Sequence, residues 1–496
     1  MTTRSETKTL SALGLAVPGS NGIEVTGLSV DSRSVRAGEV FAALPGVNAH
    51  GARFAADAAK AGAAAILTDR DGARIARGAL GEAAIPVIVT EDPRQALAFA
   101  AALWFGQQPE AVVAVTGTNG KTSVSAFTRQ LWNAMGIEAV NIGTTGVEGS
   151  FLAPMLHTTP EPITLHRILA EVAAEGIDHA VMEASSHGLD QRRLDGVRLV
   201  AAGFTNFSQD HLDYHETFEA YFAAKAGLFD RVLPEDGTAV VNTDDPMGPE
   251  VVAIAEGRGC DILTVGRDND AALCLIAQRF DVTGQELRFS WNGEARQVRL
   301  PLIGGFQAEN ALVAAGLTIA SGCAPSEVFE ALPMLTTVRG RMQLAATRDN
   351  GAAVFVDYAH TPDALATAIR ALRPHVMGRL IVVFGAGGDR DRGKRPLMGE
   401  AVAKHADIAI VTDDNPRSED PAEIRAAILA ACPGAREIGD RAEAILRGVD
   451  MLEQGDALLI AGKGHETGQT VGDTVYPFDD VEQASVAVAA LDGHGA

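Results

Sequence analysis

Thr116-Gly117-Thr118-Asn119-Gly120-Lys121-Thr122-Ser123 is the stretch whose residue types most directly specify a chemistry. A glycine turn followed by Lys-Thr suits a polyphosphate. Backbone N–H groups and a helix start face the anion, Lys121 reaches the β- and γ-phosphates, and the Thr122 hydroxyl can ligate Mg²⁺. Val115 stands where the usual spacing has its first glycine, so the reading leans on the apolar strand before the turn and the helix after it. Carboxylates follow. Glu183 closes the strand Asp178–Glu183, a good place for Mg²⁺ in a parallel sheet, although a strand-end Glu can also simply face solvent. Asp210-His211-Leu212-Asp213-Tyr214-His215 suits either a cation or the capping of the next helix. In that helix Phe218, Phe222, Lys225 and Phe229 recur at helical spacing, so Lys225 falls within an apolar stripe. A buried ammonium is costly unless it is paired or chemically altered, and the alternative is a stem that snorkels to the surface.

The last third of the chain repeats the pattern of polar loops after apolar strands. Val354–Asp357 ends in a carboxylate and leads into Tyr358-Ala359-His360-Thr361-Pro362. Gly385–Arg395 is glycine-rich and then basic. It is not a dinucleotide fingerprint, because Arg390 occupies the last glycine position, and its cations could be solvated or could hold carboxylate or phosphate groups. Asp414-Asn415-Pro416-Arg417 and Gly462-Lys463-Gly464-His465-Glu466 each follow an apolar run. Polar loops gathered at the C-terminal ends of parallel strands mark a binding edge.

The elements that must position these loops are β-branched runs alternating with alanine-rich helices, the signature of βαβ units and mostly parallel sheets. Phe280–Val298 differs and reads as a β-hairpin with turns at Thr283-Gly284 and Asn292-Gly293. The chain has 496 residues, enough for two to four domains, and the motifs divide it into blocks at 1–108, 109–336 and 337–496. The expected fold is therefore α/β in three domains, a central phosphate-loop domain flanked by an N-terminal and a C-terminal α/β domain. A net charge of −23 argues against a dedicated nucleic-acid binder. No run approaches the roughly 20 apolar residues that cross a bilayer, and MTTRSETKTL lacks a signal-peptide core. Four dispersed cysteines make neither a disulfide framework nor a thiolate metal site. These features set the expectation of a cytoplasmic monomer acting on small molecules. Residue chemistry alone leaves open whether ATP activates an acceptor carboxylate or drives a motion.

Thr116–Ser123, Met182–Gly188, Asp210–His215, Gly304–Asn310, Gly340-Arg341, Val356–Pro362 and Gly462–Glu466 together resemble the ATP-dependent Mur ligases, across all three blocks and in order. The resemblance is strongest to the branch that adds meso-2,6-diaminopimelate to the D-Glu carboxylate of UDP-N-acetylmuramoyl-L-alanyl-D-glutamate through an acyl phosphate, in peptidoglycan precursor synthesis. It implies that Gly117, Thr118, Asn119, Gly120, Lys121, Thr122 and Ser123 hold the ATP phosphates, with Asn310, Arg341 and Asp357 on the nucleotide. Thr122, Glu183, His211 and a carbamylated Lys225 would hold Mg²⁺. The sugar dipeptide would be held by Val30, Ser32, Val47, Asn48, Ala49, His157, Thr158, Thr159, Ser185, Gln191 and Arg193. Arg390, Asp414, Asn415, Pro416, Arg417, Gly462 and Glu466 would hold diaminopimelate, and Arg417 would choose it over lysine by pairing with its distal carboxylate. Gln307, His157 and Val47-Asn48 depart from the family's usual residues, and these touch substrate grip rather than chemistry. The rival readings are a relative that adds L-lysine or D-Ala-D-Ala, a folylpolyglutamate synthase, and a phosphate-loop ATPase coupled to motion.

Overall fold

Every residue of the strand Ala111–Thr116 is buried, as expected for a strand covered by helices on both faces. It is a central strand of a ten-stranded sheet in the computed structural model, which describes residues 7–17, 20, 22–46, 49–81, 85–155, 157–209, 212–281 and 283–493. His179–Glu183 pairs parallel on one side of it and Leu199–Phe204 on the other. This register brings Glu183 opposite Val115, beside the phosphate loop. Apolar side chains pack on both faces, Val113, Phe127, Trp132 and Leu312 on one and Ile142, Leu165, Met182 and Phe229 on the other.

Two more sheets flank this one in sequence. Gly27–Ser29, Glu39–Ala42, Ala65–Thr68 and Val87–Val89 form a four-stranded parallel sheet. Within a six-stranded sheet, Ala353–Asp357, Ala457–Ala461, Leu380–Phe384 and Ile408–Val411 run parallel, with Gln343–Thr347 antiparallel at one edge. The C-terminal ends of these strands carry the Tyr358, Gly385, Asp413 and Gly462 loops, which places all four on one edge.

Two local expectations need correction. The segment read as a hairpin over Phe280–Val298 is a three-stranded antiparallel meander, Leu273–Asp281, Gly284–Trp291 and Glu294–Leu300. Both turns fall where glycine permits them, but the meander begins earlier, at Leu273, after a polar turn at 267–270. Its first strand pairs parallel with Asp261–Gly266 before turning into the antiparallel pairs. The apolar stripe is also incomplete. Phe229 and Lys225 are buried, whereas Phe218 is 40% exposed and Tyr221 takes the interior place beside Lys225.

Candidate active site

Gly120 caps the helix Lys121–Ala134 at φ +85°, a backbone conformation open to glycine, and a Cβ there would approach Asn310 Oδ1 to 2.5 Å. The turn is tied down from the next strand. Thr205 Oγ1 donates to Asn119 O at 2.6 Å, and Asn119 N donates to Asn206 Oδ1 at 2.9 Å. Lys121 Nζ spans the loop, donating to Gly117 O and Thr118 O at 2.8 Å each. Lys225 Nζ donates to the same Gly117 carbonyl at 2.7 Å and lies 4.6 Å from the centre of the Tyr221 ring. Only 1% of Lys225 is exposed, so its ammonium is interior and does not snorkel.

Thr122 Oγ1 donates to Glu183 Oε2 at 3.1 Å, and Glu183 also accepts from Thr144 N at 2.9 Å and Thr144 Oγ1 at 3.2 Å. Arg341 Nη2 donates to Thr122 Oγ1 at 3.2 Å while its guanidinium stacks 4.7 Å from the Tyr358 ring centre. Asp357 accepts from Met342 N at 2.6 Å and Ala359 N at 2.9 Å; burial pushes its carboxyl up and Arg341 opposes that. Asn310 Nδ2 donates to Gln307 Oε1 at 3.0 Å, so the buried Gln307 acts through Asn310. Lys121, Thr122, Glu183, Lys225, Asn310 and Arg341 line one cavity of about 530 Å³. Gly117 lies beneath Lys225, Asp357 and Ser123 also face the cavity, and Thr118 and Asn119 form its rim. Thr122 and Glu183 put hard oxygen donors there, a set that fits Mg²⁺. Among the described residues no group of three His, Cys, Asp or Glu side chains converges on a metal position.

On one side of the cavity, Thr158 Oγ1 lies 3.1 Å from Thr144 Oγ1, and Thr159 Oγ1 accepts from Ser185 N and Oγ at 3.1 and 3.0 Å. Arg193 donates to Thr159 O at 2.6 Å and to Gln191 Oε1 at 2.8 Å, and Gln191 donates to Tyr214 OH at 3.0 Å. The structure thus brings Thr158, Thr159, Ser185, Gln191 and Arg193 together. Val30, Ser32 and Ala49 lie on loops of the first sheet, away from the cavity lining, and His157 is exposed. Val47, Asn48 and His211 fall outside the described residues.

Beyond Arg341 the polar residues continue along the edge of the third sheet. The Tyr358 ring lies 4.9 Å from that of His465, whose imidazole burial and the nearby Arg341 hold at a pKa of about 4. Gly340, at φ +68°, abuts the backbone of Gly464 and His465 so closely that a side chain would collide with it. Asn415 Nδ2 donates to Glu466 Oε2 at 2.8 Å, and Arg417, at φ +51°, donates through Nη1 to Gly388 O at 2.7 Å. Asp414, Pro416 and Gly462 are buried against this cluster, whereas Arg390 is exposed on its rim. The basic loop is partly spent internally, because Arg392 and Arg395 both pair with Glu419.

Three family models match: a Mur ligase family catalytic domain at 24–104, a Mur ligase middle domain at 115–318, and a Mur ligase glutamate ligase domain at 340–464. The chain belongs to the Mur ligase family. It is 50% identical over 485 residues to the UDP-N-acetylmuramoyl-L-alanyl-D-glutamate–2,6-diaminopimelate ligase of Brucella melitensis, covering 97% of this chain and 98% of that one. The ligase of the same name from Bradyrhizobium diazoefficiens is 52% identical over 94% of this chain and 96% of its own. A solved structure of a ligase so named superposes with a TM-score of 0.73 at 34% identity, covering 99% of this chain and 100% of that one.

Within this Mur ligase, sequence reasoning missed three groups. Thr144 follows its strand with no motif around it, and its part in holding Glu183 appears only when Ala139–Gly143 pairs beside His179–Glu183. Tyr221 was passed over because the helical spacing favoured the phenylalanines. Lys463 stands inside a quoted motif, but nothing in the sequence shows that it points inward.

Proposed function

We infer that the chain is an ATP-dependent acid–amino-acid ligase. It joins meso-2,6-diaminopimelate to the D-Glu carboxylate of UDP-N-acetylmuramoyl-L-alanyl-D-glutamate in cytoplasmic cell-wall precursor synthesis. One observation carries the reading: the phosphate loop, Glu183, Lys225 and Arg341 share a cavity that reaches Tyr358, whose ring packs on His465, and the next residue, Glu466, is bonded to Asn415. The near full-length similarity to ligases of that name supports it. The three sheets support a division into a sugar-nucleotide domain (1–108), an ATP domain (109–336) and an amino-acid domain (337–496).

In this reading Gly117–Ser123 cradle ATP, Lys121 swings from the loop carbonyls to the β- and γ-phosphates, and Asn310, Arg341 and Asp357 hold the nucleotide. The D-Glu carboxylate takes the γ-phosphoryl group, the neutral amine of diaminopimelate attacks the acyl carbon, and phosphate leaves. Positioning and charge stabilisation dominate such a transfer. Mg²⁺ held by Thr122, Glu183, His211 and carbamylated Lys225 would neutralise charge on the phosphates. Carbamylation would also remove the second of two positive charges that now meet at the Gly117 carbonyl. Arg193, Gln191, Ser185, Thr158 and Thr159 hold the dipeptide end, with Val30, Ser32, Val47, Asn48, Ala49 and His157 toward the nucleotide end. Arg417, Arg390, Asp414, Asn415, Pro416, Gly462 and Glu466 receive the amino acid.

Phosphate release from ATP with the sugar dipeptide tests the reading, comparing meso-diaminopimelate, L-lysine, D-Ala-D-Ala and no acceptor. Release with diaminopimelate alone, and a tripeptide-mass product, is expected. Release with lysine instead keeps the ligase and overturns the role of Arg417, and release with no acceptor at all favours an ATPase coupled to motion.

A further inference from the structure

Lys463 is fully buried, yet its ammonium sits beneath the loop assigned to the amino acid rather than on a distant ion pair. Its Nζ donates to Asn415 Oδ1 at 2.9 Å and to Glu466 Oε2 at 3.3 Å, and lies 4.0 Å from Asp414 Oδ1. Each of these three partners has a side chain in the proposed acceptor site. A second buried cation nearby, Arg441, is bonded to Asp480 through two bonds of 2.7 Å and acts on Asp414 and Glu466 only through space, whereas Lys463 bonds Glu466 directly. The hairpin formed by Gly468–Val471 and Thr474–Pro477 braces the same loop from the outside. There Gln469 Nε2 donates to Asp414 O at 2.7 Å, Thr470 N to Asn415 Oδ1 at 2.9 Å, and Arg417 N to Thr470 O at 3.1 Å.

Asp414 and Glu466 bring two negative charges to this wall, and Lys463 offsets one of them. In a buried setting such a charge acts strongly on its neighbours. Diaminopimelate presents an ammonium and a carboxylate at its distal end, whereas lysine presents the ammonium alone. A wall stripped of Lys463 would repel the distal carboxylate and keep its attraction for the ammonium.

We propose that Lys463 is a positioning and specificity-determining residue: it fixes Asn415 and Glu466 and keeps the acceptor wall receptive to a second carboxylate. The proposal rests on the acceptor assignment made above. Its test is kcat/KM for meso-diaminopimelate and for L-lysine, with the KM for ATP, in the wild-type chain and in Lys463→Gln, Lys463→Met and Lys463→Arg. Gln keeps a donor for Asn415 without the charge, so it remains readable if Met at this position does not fold. The diaminopimelate-to-lysine ratio is expected to fall about tenfold or more in the Gln and Met variants, with the ATP KM within about twofold of wild type. Arg, which retains the charge, is expected to keep most of the ratio. Equal loss with both acceptors, or an unchanged ratio in a cooperatively folded Lys463→Gln variant, overturns the specificity role while leaving the ligase reading intact. A wild-type chain that ligates neither acceptor overturns the ligase reading, and the role of Lys463 with it.

Discussion

Around Thr122 the polar side chains open onto a cavity of about 530 Å³, whereas around Asn415 they are spent on one another. Lys121, Lys225 and Arg341 each rest on loop carbonyls, a hydroxyl or a ring face, contacts that a polyphosphate can replace. Asn415, by contrast, is held by Lys463, Glu466 and Thr470 together. The first region gathers its cations around an open cavity that a polyphosphate could enter. The second arrives pre-arranged, with Arg417 and Arg390 toward its rim, where the proposed choice of acceptor would be made. Substitutions in the first region should therefore strike turnover, and those in the second should strike acceptor affinity and choice.

Lys225→Ala is the most severe way to test that division. It deletes a group that shares the Gly117 carbonyl with Lys121, and ligation should fall about a thousandfold. Short carboxylic acids should restore part of the activity by supplying the carboxylate the carbamate would provide. Full activity without them would remove Lys225 from the chemistry and blur the contrast between the regions.

Two buried imidazoles can be followed by titration, one in the core outside both regions and one beside the Asn415 cluster. Burial lowers both His166, in the helix Pro162–Ala174, and His465, in the acceptor region, from the ordinary 6.5 to about 4. Between those values the unfolded chain binds protons that the folded chain refuses. The stability they confer is complete above pH 6.5 and is lost as pH falls toward 4. His166→Gln should flatten the fall in unfolding free energy from pH 7 to pH 4.5 by up to about 3 kcal/mol, without altering acceptor KM. His465→Gln should flatten the same curve and also raise the KM for diaminopimelate. An acceptor KM that moves equally in both variants would erase the distinction.

At the rim, Arg417→Ala should raise the KM for diaminopimelate about tenfold while that for ATP holds. Arg417 is held by its own backbone bonds to Thr470 and Gly472, so its loss should not loosen the loop. A parallel rise in the KM for ATP would mean that the two regions are not independent.

The contrast also explains what could be read without coordinates. The phosphate loop lies within one strand–turn–helix unit, so residue order alone exposes it, and the parallel register then carries Glu183 to it. Lys225 was legible as an anomaly in a helical stripe, although Tyr221 rather than Phe218 turned out to share its interior face. The acceptor cluster joins residues about fifty positions apart, such as Asn415 and Glu466, and local pattern cannot bring them together. Residue pattern marked both loops as parts of a binding edge and the resemblance assigned them to diaminopimelate, but neither singled out Lys463, whose burial is a tertiary fact. The antiparallel meander after Gly266 went partly unread for a related reason: its first strand pairs parallel on one side and antiparallel on the other, and only the fold brings those neighbours to it.

Gln307→Asn probes the first region at its gentlest. Gln307 is buried and accepts from Asn310 Nδ2 at 3.0 Å, and Asn310 in turn stands against Gly120 at the head of the phosphate helix. Asn is one methylene shorter, so the amide of Asn310 would lose its partner or shift to follow it, at a cost of about 1 kcal/mol. If Asn310 grips the nucleotide, the KM for ATP should rise about fivefold, and the diaminopimelate-to-lysine ratio should stay fixed because the acceptor wall is braced by separate bonds. An unchanged KM for ATP would show that Asn310 holds its place without Gln307. A changed acceptor ratio would show that the helix Phe306–Ala320 reaches the acceptor wall, a coupling that the bonds around Asn415 do not provide.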